Sequence, residues 1–205
     1  MRLATFALLL LLAACSRSGR PDVSSYAAGH ETLSRLCGNP ALLGEPLDAI
    51  SEGACGIDTP VAVHVVAGVA LSTPATLNCR TANTLAKWVE NDAQDAVRGM
   101  RSRITGMRVL ASYACRSRNS QRGARLSEHA RGNGIDIASF TLANGEEISV
   151  EYDWRGRGKK TAALHKLYNS ACGPYGTVLG PDSDRFHYNH FHLDTAEYRS
   201  GSYCR

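Results

Sequence analysis

The sequence predicts an α+β domain: a small antiparallel sheet with flanking helices, stabilised by disulfides. Three observations predict it. Short stretches alternate apolar and polar residues, amphipathic helical stretches are interleaved with them, and cysteine is abundant. The chain has 205 residues, a net charge of +4, 43% hydrophobic residues and 20% charged residues. Those values suit one domain with a tail and exclude a disordered chain. Seven prolines and 19 glycines without a period exclude a collagen-like fibre. The basic excess is too small to indicate nucleic acid, and no nucleic-acid partner is expected. It is compatible with an anionic partner such as a cell-wall polymer.

The elements follow in chain order. Met1-Arg2 precedes an apolar run from Leu3 to Leu12 and then Ala13-Ala14-Cys15. One positive charge, a short apolar core and small residues mark a secretory leader, too short to span a bilayer. Leu12-Ala13-Ala14-Cys15 resembles a bacterial lipobox, which makes Cys15 the expected lipidation site. Ser16, by resemblance to Gram-negative lipoproteins, directs the chain to the outer membrane. The expected division is therefore 1–14 signal peptide, 15–35 lipidated tether and 36–205 folded domain, with the membrane reached through the lipid anchor. Pro60 to Val66 alternates like a strand. Ser72-Thr73-Pro74 reads as a helix start, a hydroxyl cap before proline. Leu85, Trp88, Val89, Ala93, Ala96 and Val97 recur at helical spacing. Val109, Ala111, Tyr113 and Cys115 alternate on the next strand, and Arg116 to Gly123 is a polar loop. Gly134 to Phe140 and Glu147 to Tyr152 read as strands joined by a turn at Asn144-Gly145. Lys159 to Ala171 fits a helix burying Ala163, Leu164, Leu167, Tyr168 and Ala171. Tyr175 to Leu179 and His190 to Asp194 close the chain as short strands.

Export explains the odd count of seven cysteines. Without Cys15, the cysteines Cys37, Cys55, Cys79, Cys115, Cys172 and Cys204 remain, and an exported domain keeps disulfides. Three bridges are expected. The pairing is open, and Cys37 with Cys55 is the most local option.

Two clusters carry the chemistry. The first runs Ser127-Glu128-His129-Ala130-Arg131-Gly132-Asn133-Gly134-Ile135-Asp136. The second runs His187-Tyr188-Asn189-His190-Phe191-His192-Leu193-Asp194. Strand alternation puts His190, His192 and Asp194 on one face, with Phe191 and Leu193 on the other. Imidazoles and a carboxylate together suit zinc, and three protein ligands with an open fourth position form a catalytic site.

His129, six residues, Asp136 and a later His-x-His resemble the zinc peptidases that group lysostaphin, D-alanyl-D-alanine peptidases and hedgehog. Within that group the Ser-Glu-His-Ala-x-Gly-Asn-x-Ile-Asp segment is similar to the extensin-like C-terminal domain family. Tyr113-Ala114-Cys115-Arg116, Val178-Leu179-Gly180-Pro181 and the final Tyr203-Cys204 add to the likeness, which covers about residues 35–205. The resemblance implies a hedgehog/DD-peptidase-like fold and a zinc cofactor (Zn2+) held by His129, Asp136 and His192. It places His190 beside a zinc-activated water as a proton shuttle or oxyanion stabiliser, with His187 as a further catalytic candidate. Arg116 is either a carboxylate clamp or a surface ion pair. Asp194 either orients a ligand histidine or closes its strand. Glu128 is expected to point elsewhere. His30, His64 and His165 read as ordinary core or surface residues. Gly134 stands where the wider pattern prefers alanine.

The expected function is a zinc-dependent peptidase in the periplasm, acting on peptidoglycan stem or cross-link peptides. The alternatives are a non-catalytic zinc-containing wall-binding module and a purely structural envelope lipoprotein.

Overall fold

A computed structural model describes residues 33–205. Cys15, His30, the expected signal peptide and the expected tether up to residue 32 lie outside the described residues. The domain is α+β and carries three disulfides. Its strands are β1 (Ser34–Leu36), β2 (Asn39–Pro46), β3 (Ile50–Glu52), β4 (Cys55–Ile57), β5 (Pro60–Val66) and β6 (Val69–Asn78). They continue with β7 (Ile104–Ala111), β8 (Gly134–Leu142), β9 (Glu147–Ser149), β10 (Thr177–Leu179), β11 (Phe191–Asp194) and β12 (Tyr203–Cys204). The helices are α1 (Cys79–Trp88), α2 (Gln94–Ala96), α3 (Val150–Asp153) and α4 (Lys159–Ala171). A π turn, Val89–Ala93, joins α1 to α2.

The sheet is neither small nor wholly antiparallel. Ten strands form it in the order β1-β2-β5-β6-β7-β8-β11-β10-β12, with β9 on β8. The pairs β6/β7 and β10/β12 are parallel. Strands β3 and β4 make a separate hairpin. The first sheet hairpins turn on two-residue loops, Cys37-Gly38 and Ala67-Gly68, with all four residues at positive φ. That backbone twist matches the twist of the flanking strands.

The expected helix at Ser72-Thr73-Pro74 is a strand instead. These residues lie within β6, where the β5/β6 register shifts between Val63 and Val65. Pro74 sits in that irregularity, where a missing N–H costs no ladder bond. Ser72 Oγ accepts from the Val109 N–H at 3.0 Å, so the hydroxyl ties β6 to β7 rather than starting a helix. The helix start is Asn78, whose side chain accepts from the Thr81 N–H at 2.9 Å. From there Leu85, Trp88, Val89, Ala93, Ala96 and Val97 are all buried, as their spacing predicts. The strand expected through Cys115 ends at Ala111. The return strand expected to Tyr152 stops at Ser149, which caps α3 and receives Asp153 in return, its N–H donating to Asp153 Oδ2 at 2.8 Å. Helix α4 has the predicted bounds.

Helix α1 packs on β2, β5 and β6, and α4 packs on the π turn. Trp88 is fully buried, with Phe140 and Tyr175 edge-on at ring-centroid distances of 6.3 Å. Trp154, Tyr168 and Phe191 continue this core. The disulfides join Cys37 to Cys79, Cys55 to Cys115 and Cys172 to Cys204, so the local Cys37–Cys55 option is not used. Cys37 lies in the β1–β2 turn of the large sheet and Cys55 in the separate β3/β4 hairpin, and each bridge ties a strand or turn to an element distant in sequence. Among the described residues no helix is long and apolar enough to cross a membrane.

Candidate metal centre

Strands β8 and β11 build the site through their register. Phe191 opposes Ile137, His192 opposes Asp136 and Leu193 opposes Ile135. Because side chains alternate along a strand, the apolar residues of each pair go to the core together. Asp136 and His192 therefore meet on the opposite face, and His192 Nδ1 lies 2.9 Å from Asp136 Oδ1.

His129 arrives from a short 3₁₀ turn, Glu128–Arg131. Ser127 caps its start, and Gly132 ends it at φ +64°. A Cβ on Gly132 would stand 2.4 Å from Ile57 Cδ1 and 2.8 Å from the Asn78 nitrogen. The positive φ and the close approach both demand glycine there. The β3/β4 hairpin thus acts as a backstop for the turn. A Cβ on Gly134 would meet the His192 and His129 rings at 3.3 and 3.4 Å, close enough that alanine requires only a small shift.

His129 Nε2 lies 3.2 Å from Asp136 Oδ1 and 3.0 Å from His192 Nδ1. The outer ring nitrogens are anchored. His129 Nδ1 donates to the Ser112 carbonyl at 2.6 Å, and His192 Nε2 donates to Asp194 Oδ2 at 3.0 Å. Ser112 is free to do this because β7 has ended one residue earlier. These anchors fix the tautomers, so that with His192 neutral the His129 Nε2 and His192 Nδ1 lone pairs face Asp136 Oδ1. Three acceptor atoms then crowd one point, an arrangement that repels itself unless a cation or a proton sits among them. A tetrahedral ion with bonds of about 2.0–2.1 Å has ligand edges of about 3.3 Å. The three observed separations come close to that, and the donor set of two imidazoles and a carboxylate fits zinc. Among the described residues His129, Asp136 and His192 form the group able to hold a metal ion, and all three are buried.

The electrostatics agree with the geometry. Burial alone would raise the Asp136 carboxyl, but the His129 and His192 rings beside it hold it well below the ordinary carboxylate range. Burial alone would lower His192, but Asp136 and Asp194 push it up to about 9. Burial pulls His190 down to about 4, with Asp136 opposing, so its imidazole is neutral at pH 7.

The three residues line a cleft of about 460 Å³. His190, His187, Arg116 and Asp194 line it too, so every predicted site residue outside the cysteines is gathered there. His190 Nε2 stands 3.7 Å from Asp136 Oδ1, beside the group able to hold a metal. The His187 ring centroid is 5.2 Å from that of His190, and His187 Nδ1 donates to Asp184 Oδ1 at 2.8 Å. Besides its contact with His192, Asp194 closes the strand end, where Oδ1 accepts from the Ala196 N–H at 2.9 Å. Glu128 lines the cleft as well, and its Oε2 accepts from Asn133 Nδ2 at 2.7 Å. Sequence reasoning missed Ser112 and Asp184. The i,i+3 spacing of Asp184 to His187 was an available signal, whereas a backbone carbonyl such as that of Ser112 leaves none. His64 lies 3.4 Å from Glu45, and His165 stacks on Trp154 at 4.1 Å, both away from the site.

A family model described as extensin-like protein C-terminus matches residues 39–205. No curated protein and no solved structure matches the chain.

Proposed function

The chain belongs to the extensin-like protein C-terminus family, and from that premise we propose that it is a zinc-dependent hydrolase of peptidoglycan stem or cross-link peptides. One observation carries this reading: three lone-pair donors converge on the floor of an open cleft that also holds a neutral histidine. Zinc bound by His129, Asp136 and His192 would supply Lewis acidity and bring the pKa of water toward neutrality. His190 takes a proton at Nε2, for which its neutral state suits it. Asn189 Oδ1 holds the other nitrogen, His190 Nδ1, at 2.9 Å. His187, oriented by Asp184, stands next in line to receive a proton or to donate to an oxyanion. Arg116, half-buried in the same wall, offers a planar fork to a substrate carboxylate. The spacing of these residues supports a place in the hedgehog/DD-peptidase-like superfamily. The apolar leader ending at Cys15 and the three disulfides support an exported lipoprotein at the outer membrane facing the periplasm. Peptidoglycan is the abundant peptide polymer there.

The test is paired digestion of isolated peptidoglycan, with products read by mass spectrometry. The zinc-loaded wild type should release fragments with new amino and carboxyl termini, and Asp136→Ala should release none. Wild type that binds zinc yet releases nothing would make the domain a non-catalytic zinc module. Equal release by both proteins would place the chemistry elsewhere.

A further inference from the structure

The loop from Arg116 to Arg131 carries five arginines, Arg116, Arg118, Arg122, Arg125 and Arg131. It is not slack. Ser117 bridges Leu126, the Arg118 N–H donates to the Arg125 carbonyl at 2.8 Å, and the Cys55–Cys115 disulfide clamps its base. A groove of about 570 Å³ runs behind this loop. Arg80, Arg118, Arg125 and Arg131 line it, against Glu128 and Glu197. The groove and the metal cleft share Arg118, Glu128 and Tyr198 as a common wall.

Its charges do not cancel. Arg80 pairs with Glu197, and Arg118 approaches Glu128 at 3.7 Å. Glu128 is also committed to Asn133. Arg125 and Arg131 have no carboxylate partner among the described residues, and both are exposed. Two guanidiniums thus face a groove that opens beside the proposed catalytic cleft. Guanidinium forks match carboxylates in shape and charge.

We propose that this groove is an anion subsite, in which Arg125 and Arg131 bind a carboxylate of an acidic peptide whose scissile bond lies in the adjoining metal cleft. The inference rests on the peptidase reading for its substrate and sharpens it. The preferred substrate carries a free carboxylate a few residues from the cut, in addition to any carboxylate held by Arg116. Blocking that carboxylate weakens binding without touching the ligand residues.

Isothermal titration tests this with full-length, zinc-loaded protein in a His190→Gln background, so that binding is read without turnover. The probes are muropeptides released from peptidoglycan by a muramidase, and the same muropeptides with their carboxylates converted to methylamides. The parent should bind the native peptides at least about tenfold more tightly than the amidated ones. Adding Arg125→Gln with Arg131→Gln should remove about tenfold of that preference by weakening only the native peptides. Arg101→Gln with Arg157→Gln, an equal charge change at remote exposed positions, should leave it intact. An unchanged preference in the groove variant overturns the proposal, as does an equal loss in the remote variant or no preference in the parent. Failure of the peptidase reading is seen separately, as peptidoglycan left uncut by the His190-containing protein.

Discussion

Chelation should make the domain lose stability between pH 6.5 and 9. The perturbation is removal of divalent metal, which leaves His192 to be satisfied by a proton shared with Asp136 and Asp194. His192 moves from an ordinary value of 6.5 to about 9 in the fold. Each pKa unit corresponds to about 1.4 kcal/mol, so the raised value contributes about 3 kcal/mol. A raised pKa means that the contribution is complete below pH 6.5 and is lost as the pH rises through 9. Below pH 6.5 the trend reverses. His190 is lowered to about 4, so the fold resists its protonation as the pH falls from 6.5 to 4. Asp136, held low, then loses its own contribution as it protonates at still lower pH. The metal-free optimum therefore lies near pH 6.5. At roughly 2–4 °C per kcal/mol for a domain of this size, Tm should fall by about 6–12 °C between pH 6.5 and pH 9. The assay is thermal melting followed by circular dichroism across that range, with chelator and with saturating zinc. Zinc needs the deprotonated ring and replaces the proton, so the zinc-loaded protein should show no such fall. A chelated protein whose Tm stays flat or rises from pH 6.5 to 9 would refute the reasoning.

Other substitutions probe separate parts of the account. His190→Gln should keep its zinc while turnover of peptidoglycan drops by about 10²–10⁴-fold, the span of a lost general acid–base group; metal content and digestion on one preparation check this. Gly132→Ala forces a left-handed residue against Ile57 and the Asn78 backbone, costing about 2–4 kcal/mol in denaturant unfolding. Replacing Cys55 and Cys115 together with alanine removes a bridge across 60 residues and should cost about 4 kcal/mol on the chain-entropy account, again by denaturant unfolding.

The residues able to hold a metal were legible through two motifs, one on a 3₁₀ turn leading into β8 and one on a strand where alternation can be read. On β11, Phe191 and Leu193 go to the core and leave His192 and Asp194 on the face that lines the cleft, a split that a period of two reveals without a structure. Helix α4 was legible for the same reason at a period of 3.6. The register that sets Asp136 opposite His192 was not legible, because it depends on pairing strands over 50 residues apart. Ser72-Thr73-Pro74 misled because a hydroxyl before proline is a strong local helix signal, yet tertiary pairing claimed that hydroxyl for Val109. Strands β1, β3 and β4 escaped notice because three residues leave too little alternation to read, and β2 because Pro40, Gly44 and Pro46 interrupt it. Cysteine pairing is a property of the folded topology. Only the number of bridges could be read from the chain.

His129, Asp136 and His192 are proposed to form a zinc site. The most direct measurement is the zinc content of purified protein by elemental mass spectrometry, wild type beside Asp136→Ala, after equal exposure to zinc and exhaustive dialysis. About one zinc is expected per wild-type chain and little or none in the variant. Zinc-free wild type, or equal zinc in both proteins, would contradict it.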